Sequence, residues 1–117
     1  MDRVERLEGL YRAFNAREMD VLLGQMTPDV DWPNAWEGGR VHGREGVRDY
    51  WTRQWAEIDP TVEPEGYTTR LDETVAVRVH TVARALDGTV LGEQHVVHAY
   101  AFRGDLIARM DVEESAG

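Results

Sequence analysis

A chain of 117 residues has the length of a single domain with one hydrophobic core, so the sequence predicts one domain over residues 1–117. Its formal net charge of −9 argues against nucleic acid and against an anionic membrane surface as partners, because both attract basic proteins. The chain has no Cys, and all thirteen basic residues are Arg, which excludes thiolate and Schiff-base chemistry. No apolar run is long enough to span a bilayer and no leader-like segment opens the chain, which predicts a cytoplasmic protein.

Two helices and a short strand are predicted in the first third of the chain. Asp2 and Glu5 have the spacing of a capping box, and apolar residues then recur at helical intervals up to about residue 16. A second, short helix through Met26 should end before Pro28, because the proline ring disfavours helix at the residue before it. Residues 30–32 follow as a strand.

A third helix is predicted from Arg44 to about Asp59, where Pro60 ends it. A glycine-rich loop over residues 33–43 precedes this helix and carries a short extended piece at residues 40–42. Because its apolar residues lie three and four apart, the helix should bury one stripe in the core. That stripe consists of Val47, Tyr50, Trp51, Gln54, Trp55 and Ile58.

The second half of the chain is predicted to be all strand. Apolar residues alternate with a period of two, which indicates strands at about 61–70, 74–86, 89–102 and 106–113. Asp87-Gly88 supplies the positive φ angles of a two-residue type I′ turn, and Arg103-Gly104-Asp105 closes the next hairpin. Strands joined in this way form an antiparallel meander, so the predicted class is α+β, with helices in front of a curled antiparallel sheet.

Alternation also assigns the two faces of this sheet. The residues expected to face the helices are Val75, Val77, Val79, Thr81, Leu106, Ala108, Met110 and Val112. The residues expected on the outer face are Arg78, His80, Arg84, Arg109, Asp111 and Glu113. Arg109, Asp111 and Glu113 should pair there across neighbouring strands with Arg78 and His80.

The strand at 89–102 has two faces that are both apolar enough to be covered. Its inward face is predicted to hold Gln94, Val96, His98, Tyr100 and Phe102. Its outward face holds His95, Val97, Ala99 and Ala101. Contiguous small apolar residues on the outside of a sheet present apolar area to water, so the sequence predicts a homodimer through the outer sheet face.

Several segments carry a resemblance to a known family. They are Tyr11-Arg12-Ala13-Phe14-Asn15, Pro28-Asp29-Val30-Asp31-Trp32, Gly43-Arg44-Glu45-Gly46-Val47, His98-Ala99-Tyr100 and Arg109-Met110-Asp111-Val112. With the order of the elements, they resemble the SnoaL-like branch of the nuclear transport factor two-like (ketosteroid isomerase-like) superfamily. The resemblance implies a cone-shaped curved sheet packed on three N-terminal helices, with a pocket between them for a hydrophobic small molecule.

The resemblance also implies which residues form the site. SnoaL-like polyketide cyclases carry out aldol chemistry with acid–base residues and without metal or cofactor, so neither is expected here. His98 is the candidate acid or base, and Asp31 the candidate carboxylate beside it. His95 cannot join His98 at a metal ion, because residues three apart on a strand point to opposite faces. The candidate ligand-binding residues are Tyr11, Phe14, Trp32, Asn34, Trp51, Trp55, Val96, Tyr100 and Met110.

The chain departs from two other branches of the superfamily. At the positions where ketosteroid isomerases keep a catalytic Tyr, an Asp base and a protonated Asp, it has Leu10, Trp32 or Asn34, and His98, so appreciable steroid isomerisation is not expected. Epoxide hydrolases of this fold are similar at Trp32, Asn34 and Arg78-Val79-His80, but they require Asp where His80 stands.

Two functions remain open from the sequence. One is a cofactor-free cyclase or isomerase acting on a hydrophobic, oxygenated metabolite, and the other is a non-catalytic ligand-binding domain. His98 should be neutral at pH 7, because burial disfavours the imidazolium, unless a carboxylate such as Asp31 reaches it. A His98 partnered by a carboxylate would favour proton transfer, whereas one satisfied only by Tyr or backbone would favour an anchoring role.

Overall fold

A six-stranded sheet and three helices make up the computed structural model, which describes residues 2–115. The helices are α1 (Arg3–Asn15), α2 (Met19–Gly24) and α3 (Gly43–Trp55). The strands are β1 (Met26–Pro33), β2 (Arg40–His42), β3 (Ile58–Thr69), β4 (Val75–Ala85), β5 (Val90–Arg103) and β6 (Leu106–Glu114). The sheet order is β2-β1-β6-β5-β4-β3, and β1 pairs parallel with β6 while the other pairs are antiparallel. The predicted α+β class is confirmed.

The first helix forms as the sequence predicts. A carboxylate oxygen of Asp2 accepts a hydrogen bond from the backbone N–H of Glu5 at 2.8 Å, which satisfies one of the free donors at the helix start. The apolar stripe buries Leu7, Leu10 and Tyr11 against the concave side of the sheet. None of the helices in residues 2–115 is long and apolar enough to cross a lipid bilayer.

The second and third helices are shorter than predicted. Met26 lies in β1 rather than at the end of α2, because it is fully buried beside Ile107 in the parallel β1–β6 pair. Helix α3 ends at Trp55, and Ile58 already begins β3. Pro60 therefore lies within a strand, where its missing N–H is tolerated because β3 is an edge strand.

Register shifts bend the sheet and change one predicted face. They occur in β3 after Pro64, in β4 after Ala83 and in the β5–β6 pair after Ala101. The last shift moves the buried face of β6 onto Ile107, which is fully buried, so the prediction that its two neighbours, Leu106 and Ala108, point inward is wrong. An extra residue in one strand reverses alternation beyond it, and hydrophobic periodicity does not reveal such a bulge.

The β3–β4 and β4–β5 hairpins close through three-residue loops with matching hydrogen bonds. In the second loop the N–H of Ala85 donates to the carbonyl of Thr89 at 2.8 Å, and only Gly88 has positive φ, so the predicted two-residue turn is wrong. In the first loop the N–H of Arg70 donates to the carbonyl of Thr74 at the same distance. The left-handed position there is taken by Glu73, with φ +72°.

The two loops predict opposite changes in stability for substitutions at their left-handed positions. A residue other than Gly in the left-handed region costs about 1 kcal/mol or more, and Gly has no such cost. Glu73→Gly should therefore raise the free energy of unfolding by roughly 0.5 kcal/mol, since the flexible unfolded glycine offsets part of the gain. Gly88→Glu should lower it by about 1 kcal/mol. Urea denaturation of the two variants measures both changes, and equal signs would contradict the assignment of strain to Glu73.

Candidate functional site

A cavity of about 430 Å³ lies between the helices and the concave face of the sheet. Its walls come from α1, β1, α3 and the meander strands, and most of the side chains on them are apolar or aromatic. Seven of the nine predicted ligand-binding residues line it, together with His98: Tyr11, Phe14, Trp32, Trp51, Val96, Tyr100 and Met110. The volume is within the range of pockets that hold drug-sized molecules.

Three polar side chains meet in the buried part of this cavity. The Tyr11 hydroxyl on α1 lies 3.0 Å from Nδ1 of His98 and 2.7 Å from the hydroxyl of Tyr100. His98 and Tyr100 are two residues apart on β5, so they share the inward face of that strand. We call these three residues the Tyr–Tyr–His cluster.

Burial keeps the cluster uncharged near neutral pH. Desolvation lowers the pKa of His98 to about 4 and raises the pKa of both Tyr11 and Tyr100. The direction for His98 agrees with the sequence-based expectation of a neutral ring. Its Nδ1 is engaged by Tyr11, and Nε2 has no hydrogen-bond partner among residues 2–115, so this nitrogen can serve a ligand.

Asp31 does not accompany His98. Val30 and Trp32 are buried on the inner side of β1, which places Asp31 between them on the opposite face. There Asp31 accepts hydrogen bonds from Arg40 at 2.5 Å and from Arg109 at 2.8 Å. The predicted pairing of Asp31 with His98 is therefore wrong, and the Tyr hydroxyl takes its place.

Two further candidates lie beside the cavity and not on its wall. Asn34 folds the loop after β1: its Oδ1 accepts from the N–H groups of Trp36 at 3.2 Å and Glu37 at 2.7 Å. Trp55 stacks on Trp51 with ring centroids 5.8 Å apart and an interplanar angle of 5°. Both predicted ligand contacts are thus corrected to supporting roles, Asn34 holding Trp36 and Trp55 holding Trp51, and those two residues do line the cavity.

Sequence reasoning missed other residues of the wall, of which Gln54 and Glu93 are the polar ones of interest. Tyr50 and Gln54 belong to the buried stripe of α3, and Gln54 is 9% exposed. A signal for Gln54 was present, because an amide within an aromatic helical stripe is a buried polar group that needs a partner. Glu93 precedes the predicted inward face of β5 and gave no such signal.

The outer sheet face carries charge pairs, with partners other than those predicted. Arg109 bonds Asp111 at 2.8 Å, and Glu113 bonds Arg70 at 2.7 Å, so neither acid pairs with Arg78 or His80. Bonding to Arg109 and Arg70 holds the pKa of both acids below its ordinary value.

Arg78 and His80, which belong to the segment similar to epoxide hydrolases, also lie on this outer face. His80 stacks on His95 with ring centroids 4.5 Å apart, and neither Arg78 nor His80 borders the cavity. The arrangement that epoxide hydrolases of this fold require is therefore not assembled in the cavity. Within residues 2–115, no three His, Asp or Glu side chains converge as a metal site would need.

The sequence profile of the SnoaL-like domain matches residues 7–110, which is most of the chain. The chain belongs to the SnoaL-like domain family. A comparison with curated proteins finds no significant match.

Solved structures show the same fold as this SnoaL-like domain. TerC, co-crystallised with polyporic acid, has 22% identity and a TM-score of 0.82 over 97% of this chain and 91% of its own. An NTF2-like protein of unknown function from Burkholderia pseudomallei has 19% identity and a TM-score of 0.83 over 98% and 92%. RV0760c from Mycobacterium tuberculosis, in complex with estradiol-17beta-hemisuccinate, has 19% identity and a TM-score of 0.82 over 97% and 94%.

Proposed function

We propose that this SnoaL-like domain binds a hydrophobic, oxygenated small molecule in the cavity, with the Tyr–Tyr–His cluster as its polar anchor. The observation that carries the proposal is the free Nε2 of a neutral His98 in an otherwise largely apolar enclosure. The structures with polyporic acid and estradiol-17beta-hemisuccinate support it, because both show a molecule of this kind with a protein of the same fold.

The Tyr–Tyr–His cluster can bond a ligand oxygen that accepts a hydrogen bond and also one that donates it. When Tyr100 donates to Tyr11 and Tyr11 donates to Nδ1 of His98, the ring carries its proton on Nε2 and donates to a ligand carbonyl. When the order runs the other way, Nδ1 carries the proton and Nε2 accepts from a ligand hydroxyl. One chain of three groups thus serves ketones and alcohols without a net charge in the cavity.

The test is calorimetric titration at pH 7.5 with estradiol and with an all-carbon polycycle of similar size. Wild-type protein should prefer estradiol, and His98→Leu should lose about tenfold in estradiol affinity, the value of one buried hydrogen bond. The exposed His42→Leu variant is the matched control, because His42 borders neither the cavity nor the outer face of β5, and it should bind as the wild type does. Unchanged affinity in His98→Leu would remove the anchor from the proposal.

A second candidate is cofactor-free acid–base catalysis, of the cyclase or isomerase type, at the same atom. It is favoured by the hydrogen bonds from His98 to Tyr11 and from Tyr11 to Tyr100, along which protons can be exchanged. A neutral imidazole whose pKa is about 4 is a weak base, so the expected turnover is slow. Deuterium exchange next to the carbonyl of a cyclic ketone, followed by NMR with wild type and His98→Gln, tests it. Equal exchange with the two proteins would refute catalysis by His98.

We also propose the homodimer through the outer face of β5, where His95, Val97, Ala99 and Ala101 lie. Sedimentation should give twice the 13.3 kDa chain mass at micromolar concentration. Ala99→Glu should dissociate the dimer, because it sets a carboxylate opposite Asp111 within an apolar contact. The exposed Ala56→Glu change carries the same charge and should leave the mass unchanged. A monomeric wild type would contradict the proposal.

A further inference from the structure

Gln54 is a buried amide in the cavity wall with one side left unbonded. It is 9% exposed, and its Oε1 has no hydrogen-bond partner among residues 2–115 and almost no contact with solvent. Its Nε2 makes a single long contact of 3.4 Å to the hydroxyl of Tyr50. Other buried side chains in these residues also leave an atom unpaired, namely Thr27, Trp55 and Tyr67, but of the four only Gln54 lines the cavity.

An unpaired amide oxygen at this depth is costly. It loses its hydration without gaining a protein partner, so the folded protein without a ligand carries a penalty that an apolar side chain of similar size would avoid. Most of the cavity wall is aromatic or aliphatic, including Trp51 on the preceding turn of α3 and Phe14 on α1, and none of the donors in residues 2–115 bonds Oε1 of Gln54. Because Oε1 itself has almost no accessible surface, a ligand in the cavity can bond this amide only when the end of the Gln54 side chain turns toward it.

A hydroxyl group is the chemistry that fits this amide in both of its orientations. The carbonyl oxygen of Gln54 accepts from a hydroxyl, and after a half-turn of the terminal amide the nitrogen donates to it. A ketone fits one orientation only. Gln54 makes no hydrogen bond with the Tyr–Tyr–His cluster, so the cluster does not satisfy its amide.

We propose that Gln54 is a second recognition residue that selects ligands bearing a hydroxyl group in addition to the oxygen bound at His98. The ligand class is therefore an uncharged apolar skeleton with two separated oxygen functions, of which the one at Gln54 is a hydroxyl. This inference rests on the proposed function, since it concerns the same cavity. It also predicts a trade-off, because Gln54 lowers the stability of the empty protein and raises affinity for the hydroxylated ligand.

The test uses estradiol and its two mono-deoxy derivatives, each lacking one of the two hydroxyls, with wild type, Gln54→Leu and Gln54→Met. Both variants should bind estradiol about tenfold more weakly than wild type does, and the same loss should appear for the deoxy derivative that keeps the hydroxyl at Gln54. The deoxy derivative that lacks this hydroxyl should bind the variants and the wild type equally well. The melting temperature of both ligand-free variants should rise by about 4 °C.

Gln25→Leu is the matched control, because the amide of Gln25 is bonded on both sides, to Arg6 at 2.6 Å and to the carbonyl of Val21 at 3.0 Å. It should lower the melting temperature and leave all three affinities unchanged. If wild type binds none of the three steroids, the proposed function itself fails for this ligand class. If wild type binds them and the Gln54 variants weaken all three equally, or melt below wild type, the role of Gln54 is overturned while the binding function stands.

Discussion

At pH 5 the free energy of unfolding should be about 2 kcal/mol lower than at pH 7.5 through His98 alone. The pKa of His98 is about 4 in the folded protein, against the ordinary 6.5 that it regains on unfolding. Between pH 6.5 and pH 4 the imidazole of His98 binds a proton in the unfolded chain but stays neutral in the folded protein. The stability that depends on a neutral His98 is thus complete above pH 6.5 and is lost as the pH falls toward 4.

Chemical denaturation at the two pH values measures this loss, and a variant isolates it from the carboxylates that also titrate. His98→Gln cannot be protonated, so its stability should change between pH 7.5 and pH 5 by about 2 kcal/mol less than that of wild type. If His98→Gln and wild type lose stability in parallel, His98 is not buried in neutral form.

Arg40→Met should lower the free energy of unfolding by about 2 to 3 kcal/mol. Arg40 is three-quarters buried and joins three strands: it donates to the carboxylate of Asp31 on β1 at 2.5 Å, and on β6 to that of Asp111 at 3.1 Å and to the carbonyl of Met110 at 2.6 Å. Met keeps much of the apolar volume but removes every donor. Both carboxylates would then keep Arg109 as their arginine partner, and Asp31 would also keep Nε2 of His42 at 3.6 Å.

Arg53→Met serves as the comparison for this loss. Arg53 also bonds two carboxylates, Glu37 at 2.7 Å and Asp49 at 3.0 Å, but it is 43% exposed. Ion pairs in water contribute little, so the change should lower the free energy of unfolding much less than Arg40→Met does in urea denaturation. Equal losses in the Arg40 and Arg53 variants would show that burial does not set the strength of the Arg40 network.

The sequence could predict those site residues whose position follows from strand alternation or helical periodicity. Alternation along β5 placed His98 and Tyr100 on one face, and the helical interval of α1 brought Tyr11 to the same side. Parity also shows why Asp31 fails as a partner, because its neighbour Trp32 was itself predicted to face the cavity and the two cannot point the same way. The fold was predictable since its strands and helices are long and strongly patterned.

The remaining differences arise where local pattern carries no information. The bulge that turns Ile107 inward depends on how β5 and β6 are paired, and a single strand does not reveal it. Asn34 and Trp55 were predicted to contact the ligand, but whether such a residue lines a wall or supports the residue that does depends on side-chain packing. Gln54 was predicted as part of a buried stripe, and its importance emerged only when its oxygen proved to have no partner.

The parallel pairing of β1 with β6 has a consequence for how the molecule reaches this structure. It joins Met26 to Ile107 and Asp31 to Arg109, so two strands far apart in the sequence meet in the interior of the sheet. During synthesis β1 has only the three-residue β2 to pair with until β6 has left the ribosome. Contacts between such distant residues slow folding. Trp32 and its aromatic neighbours would stay exposed in that interval, which makes the nascent chain a client for chaperones that bind apolar segments.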